Sequence, residues 1–177
     1  EYGLKPVLQN SEYLQNYSFS SRQHTVNERN VIGILEGTDS LLKDQYIVLS
    51  AHFDHVGVIR GIDNDSIYNG ADDNASGTSG MLALAKAWSE HGEQPACNII
   101  FAAWTAEEKG LLGSSYFVQH TRANPDQVLL YINLDMISRS APEDTAHRIL
   151  SIGTMTGSDN LKRIAGESNS RLSHPFL

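Results

Sequence analysis

Apolar residues along the chain occur in short continuous runs separated by polar, glycine-containing segments. Four of these runs predict buried strands at residues 30–35, 46–51, 98–104 and 128–134. Between them, apolar residues recur at steps of three and four and predict helices over residues 77–91 and 111–121. Weaker patterns predict a strand at 148–152 and a helix at 158–168.

The order of these elements predicts the fold class. Strands that lack polar alternation are covered on both faces, and here they alternate with helices. The chain is therefore predicted to be α/β, with a mostly parallel mixed sheet flanked by helices on both faces. No repeat or domain boundary is visible, so residues 1–177 are expected to form a single domain. One long aperiodic segment, 57–74, is predicted to be a functional loop because of its length.

Composition excludes several functions. Lys and Arg number 13 against 21 Asp and Glu in 177 residues, giving a formal net charge of −8, which argues against a nucleic-acid partner. No apolar run approaches the roughly 20 residues that cross a bilayer. The single cysteine, Cys97, excludes an internal disulfide and a thiolate-rich zinc cluster. Any metal site would therefore need histidine and carboxylate ligands.

Acidic side chains and one histidine follow the predicted strands where each strand ends. These residues are His52, Asp54, Glu107, Glu108 and Asp135. Because the carboxyl ends of parallel strands meet at one edge of a sheet, we expect these side chains to converge. Asp72 precedes the helix that follows the His52 strand, so it is expected at the same edge.

Several carboxylates that converge on a histidine repel one another unless a cation lies among them. Such donors suit Zn²⁺, Mn²⁺ or Co²⁺. His52 and Asp54 are two positions apart, so in an extended segment the Asp54 carboxylate could bind the free imidazole N–H. Taken singly, His52 could be a buried structural histidine and Asp72 or Asp73 a helix cap. Their combination favours a metal centre.

Four segments then carry a family resemblance: Ser-Ala-His-Phe-Asp-His-Val-Gly at 50–57, Asn-Gly-Ala-Asp-Asp-Asn-Ala-Ser-Gly at 69–77, Trp-Thr-Ala-Glu-Glu-Lys-Gly-Leu-Leu-Gly-Ser at 104–114 and Asn-Leu-Asp-Met at 133–136. They resemble the successive motifs of the di-zinc aminopeptidases related to bacterial leucyl aminopeptidase. Glutamate carboxypeptidase and the transferrin receptor belong to the same superfamily. The resemblance implies a zinc-dependent exopeptidase fold of the phosphorylase/hydrolase-like type and peptide substrates.

The resemblance also implies a role for each motif residue. His52 and Asp135 would bind one zinc ion, Asp72 would bridge to a second, Glu108 would bind the second, Glu107 would be the general base, and Asp54 would orient His52. A cis peptide bond is implied between Asp72 and Asp73. An exported location is implied by the same analogy.

One ligand of the implied set has no clear counterpart in the chain. The resemblance requires a further histidine on the second zinc, downstream of the Asn-Leu-Asp-Met motif, and only His147 and His174 follow it. Neither stands in the expected motif. We therefore expect an incomplete catalytic domain that binds one zinc ion at most and has little activity alone.

Other functions were weighed against hydrolysis of peptides. A glutaminyl cyclase-like acyltransferase with a single zinc, and a non-catalytic binding module on the same fold, both stay open. A serine hydrolase is disfavoured because Gly77-Thr-Ser-Gly80 is one residue short of the nucleophile motif. The phosphate-binding glycine loop is absent from the sequence.

Overall fold

A computed structural model describes residues 2–8, 12–60, 65–121, 124–140, 143–146, 149, 151–154 and 158–175. The chain divides into two compact units, residues 1–137 and residues 138–177. Each is described by itself, and the single domain expected from the sequence stays a prediction.

The first unit is built on a six-stranded sheet. Its strands are β1 (Lys5–Pro6), β2 (Leu14–Ser21), β3 (His24–Leu35), β4 (Tyr46–His52), β7 (Asn98–Trp104) and β8 (Val128–Asn133). They lie in the order β1-β3-β7-β4-β8, with β2 also paired to β3. Two short strands, β5 (Gly57–Val58) and β6 (Ile67–Tyr68), form a separate antiparallel pair within the predicted long loop.

The sheet is mixed, which confirms the expected fold class. Strand β4 runs parallel to both β7 and β8, whereas β3 is antiparallel to β1, β2 and β7. Parallel pairing is thus confined to three adjacent strands. Their carboxyl ends meet at one edge, and this edge carries the acidic residues found in the sequence.

Helices cover both faces of the sheet, as expected. On one face, Val48, Ile100 and Trp104 form a core against Phe117 of α2 (Leu112–His120). Alternate strand residues, including Leu49 and Phe101, point to the other face and pack on α1 (Gly77–His91). Because neighbouring strand residues point in opposite directions, each continuous apolar run supplies both cores.

Strand β2 and the first half of β3 were not predicted. The inward positions of β2 include Gln15 and Tyr17, so the strand lacks an apolar alternation. Gln15 is buried because its Oε1 accepts a hydrogen bond of 2.9 Å from Nδ2 of Asn30, itself fully buried on β3. The hydrogen-bonded pair of Gln15 and Asn30 thus occupies positions where apolar residues would have predicted a buried strand.

The second unit contains α3 (Asp159–Ser170), close to the helix predicted at 158–168. The strand predicted at 148–152 falls partly outside the described residues, and residues 149, 151 and 152 lie in no strand. Nearby, Asp144 is buried and accepts a 2.7 Å hydrogen bond from the backbone N–H of Ile149. Within the described ranges, no helix is both long enough and apolar enough to cross a membrane.

Candidate metal centre

Backbone hydrogen bonds hold the ends of β4 and β8 in register at the carboxyl edge. Strand β4 ends at His52, whose carbonyl accepts a 2.8 Å hydrogen bond from Oγ1 of Thr78 in α1. Just beyond β8, the N–H of Leu134 donates to the carbonyl of Ser50 at 2.8 Å. The next residue, Asp135, is therefore placed beside the His52 side chain.

The buried imidazole of His52 is the centre of a first cluster. Its Nε2 lies 3.1 Å from Oδ1 of Asp73, 3.6 Å from Oδ1 of Asp135 and 4.0 Å from Oε2 of Glu107. His52 is 2% exposed, whereas the three carboxylates are partly open to solvent. A buried histidine thus faces three acids that a ligand can reach.

Asp73 belongs to this cluster, and Asp72, the expected bridging ligand, does not. The carbonyl oxygen and Oδ1 of Asp72 instead accept hydrogen bonds from Oγ of Ser76 at 2.6 and 3.3 Å. The cis peptide bond likewise joins Asp73 to Asn74 rather than Asp72 to Asp73. The cause is local: Asp73 and Asn74 have non-helical backbone angles inside a π-helical turn, so adjacent side chains point in different directions.

Asn74 joins the segment that carries Asp73 to the end of β8. Its Nδ2 donates to the carbonyl of Leu134 at 2.9 Å, and its Oδ1 accepts from the N–H groups of Gly77 and Met136 at 3.0 and 3.3 Å. A Cβ on Gly77 would lie 2.2 Å from the Leu134 carbonyl oxygen, so glycine is needed at this contact.

Asp54 binds the turn after β7 more than it binds His52. Its Oδ1 and Oδ2 accept hydrogen bonds from the backbone N–H groups of Glu107 and Glu108 at 3.1 and 3.4 Å. The Nδ1 of His52 lies 3.1 Å from the Asp54 carbonyl oxygen and 3.7 Å from its carboxylate. The hydrogen bond of the imidazole is thus to the Asp54 backbone, and the Asp54 carboxylate lies farther away, within ion-pair distance.

A second cluster lies beside the first and includes a histidine that sequence reasoning missed. The Nδ1 of His55 lies 2.8 Å from Oε1 of Glu108 and 3.9 Å from Oδ2 of Asp73. The two oxygens of Asp73 thus face different histidines. Its position in the sequence could have indicated that His55 lies near the site, since it follows His52 by three residues at the end of the same strand.

Glu107 differs electrostatically from its neighbours. Burial raises the pKa of the Glu107 carboxyl above its ordinary value, and the nearby His52 opposes this effect. The carboxylates of Glu108, Asp135 and Asp54 raise the pKa further. Glu107 thus holds a proton more readily than an ordinary surface glutamate.

The donors in both clusters suit zinc. Ligand atoms about 2.0–2.2 Å from one tetrahedral ion lie about 3.4 Å apart, and the separations from His52 to Asp73 and Asp135 bracket that value. Each cluster offers one imidazole nitrogen and two carboxylate oxygens within 4.8 Å of one another. Of the later histidines, His147 lies outside the described residues, and His174 is exposed and near Ser173 in the second unit.

A mixed α/β sheet with histidine and carboxylate donors at its carboxyl edge defines a metal-binding protein of the α/β class. The chain belongs to peptidase family M28, whose model matches residues 30–174. The resemblance inferred from the four motifs is therefore confirmed.

Individual relatives agree with this family. The chain is 36% identical over 141 residues to a glutamate carboxypeptidase 2 homolog of Caenorhabditis elegans, covering 77% of this chain and 16% of the relative. It is 34% identical over 119 residues to a probable leucine aminopeptidase 2 of Aspergillus oryzae, covering 67% of this chain and 21% of the relative. The structure of BSAP, a zinc aminopeptidase from Bacillus subtilis, matches with a TM-score of 0.59 and 28% identity over 83% of this chain and 34% of that one. The chain thus spans between 16% and 34% of each relative's length.

Proposed function

We propose that the protein is a zinc-dependent exopeptidase that removes N-terminal residues from peptides. The observation that carries the proposal is the convergence of His52, Asp73 and Asp135 with the Glu107 carboxylate at one edge of the sheet. The names of the A. oryzae and B. subtilis relatives support the aminopeptidase class.

Two zinc ions are part of the proposal. His52, Asp73 and Asp135 would hold one ion. Asp73 and Glu108 would help to hold the other, since the two oxygens of Asp73 face different histidines and Glu108 lies beside the second of them. Bound zinc supplies Lewis-acid polarisation of the scissile carbonyl and acidifies a water molecule.

Glu107 is proposed as the general base. Its Oε2 lies at the edge of the first cluster, 4.0 Å from the His52 nitrogen, where a carboxylate can accept and then release a proton. It would take the proton of the attacking water and pass it to the leaving amine. Asp54 positions this base because its carboxylate holds the backbone of the turn.

The first experiment removes and restores the metal. Strong chelation is expected to abolish release of N-terminal residues from unblocked peptides, and Zn²⁺ should restore it. N-acetylated peptides, carboxypeptidase substrates and N-terminal glutaminyl peptides serve as comparisons. Activity that survives chelation would contradict the zinc peptidase, and cyclisation of the glutaminyl peptide without hydrolysis would favour the acyltransferase.

The second experiment separates the base from the ligand. Glu107→Gln keeps the shape of the side chain but removes its proton acceptor, so turnover should fall at least about a hundredfold while zinc content is retained. Glu108→Gln should instead lower zinc content. If Glu107→Gln lost zinc and Glu108→Gln lost only turnover, Glu108 would be the base and Glu107 the ligand. The exported location and the lack of a nucleic-acid partner expected from the sequence stay predictions.

A further inference from the structure

We propose that Asn30 is a positioning residue for the general base, holding the turn of residues 105–113 so that the Glu107 carboxylate faces the first cluster. The inference deepens the proposed function and rests on it, because Glu107 has a catalytic role only if the protein is the proposed peptidase. Asn30 is fully buried on β3, a strand that carries none of the proposed ligands. Its effect on the reaction would therefore pass through the backbone of the turn.

The side-chain amide of Asn30 binds both ends of this turn. Its Oδ1 accepts a 3.2 Å hydrogen bond from the N–H of Thr105, and its Nδ2 donates a 2.8 Å hydrogen bond to the carbonyl of Gly113. The N–H of Gly113 in turn donates to the carbonyl of Thr105 at 3.1 Å. A Cβ on Gly113 would lie 2.4 Å from Oδ1 of Asn30, so glycine is needed for this close approach. The two ends of the turn are thus joined to each other and to one side chain.

The backbone between these ends has a specific conformation that places Glu107. Ala106 and Leu111 have positive φ angles of 52° and 59°. The carbonyl of Glu107 accepts hydrogen bonds from the N–H groups of Gly110 and Leu111 at 2.8 and 2.9 Å. Because Glu107 follows Thr105 by only two residues, a movement of Thr105 would be passed directly to the base.

Two side chains therefore hold this turn from different sides. Asp54 accepts hydrogen bonds from the N–H groups of Glu107 and Glu108, whereas Asn30 holds the base of the turn. The Oε2 of Glu107 lies 4.0 Å from Nε2 of His52. A displacement of a catalytic group by about 1 Å can cost about a hundredfold in rate, so turnover should depend on both contacts.

Asn30 also has a contact that does not involve the turn. Its Nδ2 donates a 2.9 Å hydrogen bond to Oε1 of Gln15 on β2, and Gln15 is itself buried. Gln15→Ala should therefore disturb the same buried network and lower stability while the hydrogen bonds from Asn30 to Thr105 and Gly113 stay in place. This variant separates a loss of stability from a loss of positioning.

The test is a double-mutant cycle on the zinc-loaded protein. Turnover of an unblocked peptide is measured for wild type, Asn30→Ala, Gln15→Ala, Glu107→Gln and the Asn30→Ala/Glu107→Gln double variant, with kcat and KM determined separately and zinc content measured. Gly113→Ala is a second variant, because its methyl group would press on the Asn30 amide without removing any hydrogen-bonding group. Hydrogen exchange of the Leu111 amide, compared with amides of β4, reports the order of the turn independently of activity.

Asn30→Ala and Gly113→Ala should each lower kcat at least about tenfold, leave KM within about twofold and keep zinc, while the Leu111 amide exchanges faster. Gln15→Ala should keep kcat within about twofold of wild type. Because Asn30 acts through Glu107, its removal from Glu107→Gln should change turnover by less than about twofold.

Three results would overturn the inference: an unchanged kcat in Asn30→Ala, equal losses of kcat in Asn30→Ala and Gln15→Ala, or a further tenfold loss in the double variant. If Asn30→Ala does not fold, an unchanged kcat in Gly113→Ala has the same meaning. Wild type that binds zinc and hydrolyses peptides would leave the proposed function intact in each of these cases. Absence of zinc-dependent hydrolysis in wild type would instead overturn the proposed function, and the positioning role with it.

Discussion

Neighbouring acids of the same type have different surroundings at this site. Asp72 contacts Ser76 at the start of a helix, whereas Asp73 lies between two histidines. Glu108 contacts His55, and Glu107 faces the His52 cluster. Chemical type is evident from the sequence, but which member of a pair faces the site depends on one or two backbone angles.

Exchanging carboxylate for amide at each of the two aspartates tests that distinction. Asp73→Asn removes a charged donor from both clusters, so zinc affinity should fall at least about a hundredfold at each. Asp72→Asn is the matched control and should retain both ions. Metal analysis after dialysis measures the difference, and equal loss of zinc from both variants would argue against the assignment of Asp73.

The order of residues along the strands made part of the site predictable. His52, Glu107 and Asp135 each stand at or just after the end of an apolar run, and the structure brings them together at the shared edge. His55 was missed because it lies in a turn, where no periodicity indicates which way a side chain points. Asp73 was missed for the same reason.

At the level of elements, Asn30 connects four parts of the first unit. Its Nδ2 donates to Gln15 on β2 and to the carbonyl of Gly113 in α2, and its Oδ1 accepts from the N–H of Thr105 after β7. All of this is buried, so each lost partner leaves a polar group away from water. Asn30 therefore holds Thr105, the residue at which the turn that carries Glu107 begins.

Asn30→Ala should accordingly lower the free energy of unfolding by about 1–3 kcal/mol. Urea denaturation of the metal-free protein measures this effect. Asn27→Ala, an exposed position on the same strand, is the control and is expected to change it by less than about 0.5 kcal/mol. A result in which both variants match wild type would mean that water replaces the missing bonds.

Tyr17 on β2 gives the fold a dependence on alkaline pH. Burial raises the pKa of its phenol above 10.0, although the hydrogen bond with Thr105 acts in the opposite direction. The folded state therefore binds this proton more tightly than the unfolded state. Its contribution to stability is complete below pH 10.0 and is lost as the pH rises through the raised pKa.

Denaturation of wild type should thus become easier between about pH 10 and about pH 12. Tyr17→Phe has no phenol to ionise, so its stability should fall less over the same interval, even though it lacks the bond to Thr105 and starts lower. Parallel pH profiles for the two proteins would show that Tyr17 does not titrate differently on unfolding.

At the scale of the molecule, acidic charge and metal binding are connected. The net charge of −8 includes five carboxylates around the two histidines, from Asp54, Asp73, Glu107, Glu108 and Asp135. Cations that bind only the folded state stabilise it by mass action. Folding and zinc binding should therefore be coupled.

Zinc at a hundred times its dissociation constant should stabilise the fold by about 2.7 kcal/mol for each site. The midpoint of thermal unfolding should rise with zinc and return when a chelator is added. His52→Ala is expected to lose the part of this shift that comes from the first site, whereas His91→Ala, at an exposed residue at the end of α1, should keep all of it. A shift of equal size in both variants would indicate that zinc binds elsewhere.

The sequence was most informative where a single interaction dominates. Continuous apolar runs predicted β4, β7 and β8. Strands β4 and β7 are buried as expected, whereas most residues of β8 are exposed in the described structure, so the burial predicted for this run was wrong. The antiparallel side of the sheet was less visible, since β2 is held by buried polar contacts of Gln15 and Tyr17 that depend on distant partners. The spacing of apolar residues within a short segment does not show which distant residues that segment will contact.

The contact of Gly77 with Leu134 has a consequence for mutational tolerance. Any larger residue at position 77 would force the start of α1 away from the end of β8, and these two segments carry Asp73 and Asp135. Zinc affinity would then fall with every ligand still present. A survey of substitutions scored by metal retention should therefore find sensitive positions outside the coordination sphere, with Gly77 among the most restrictive.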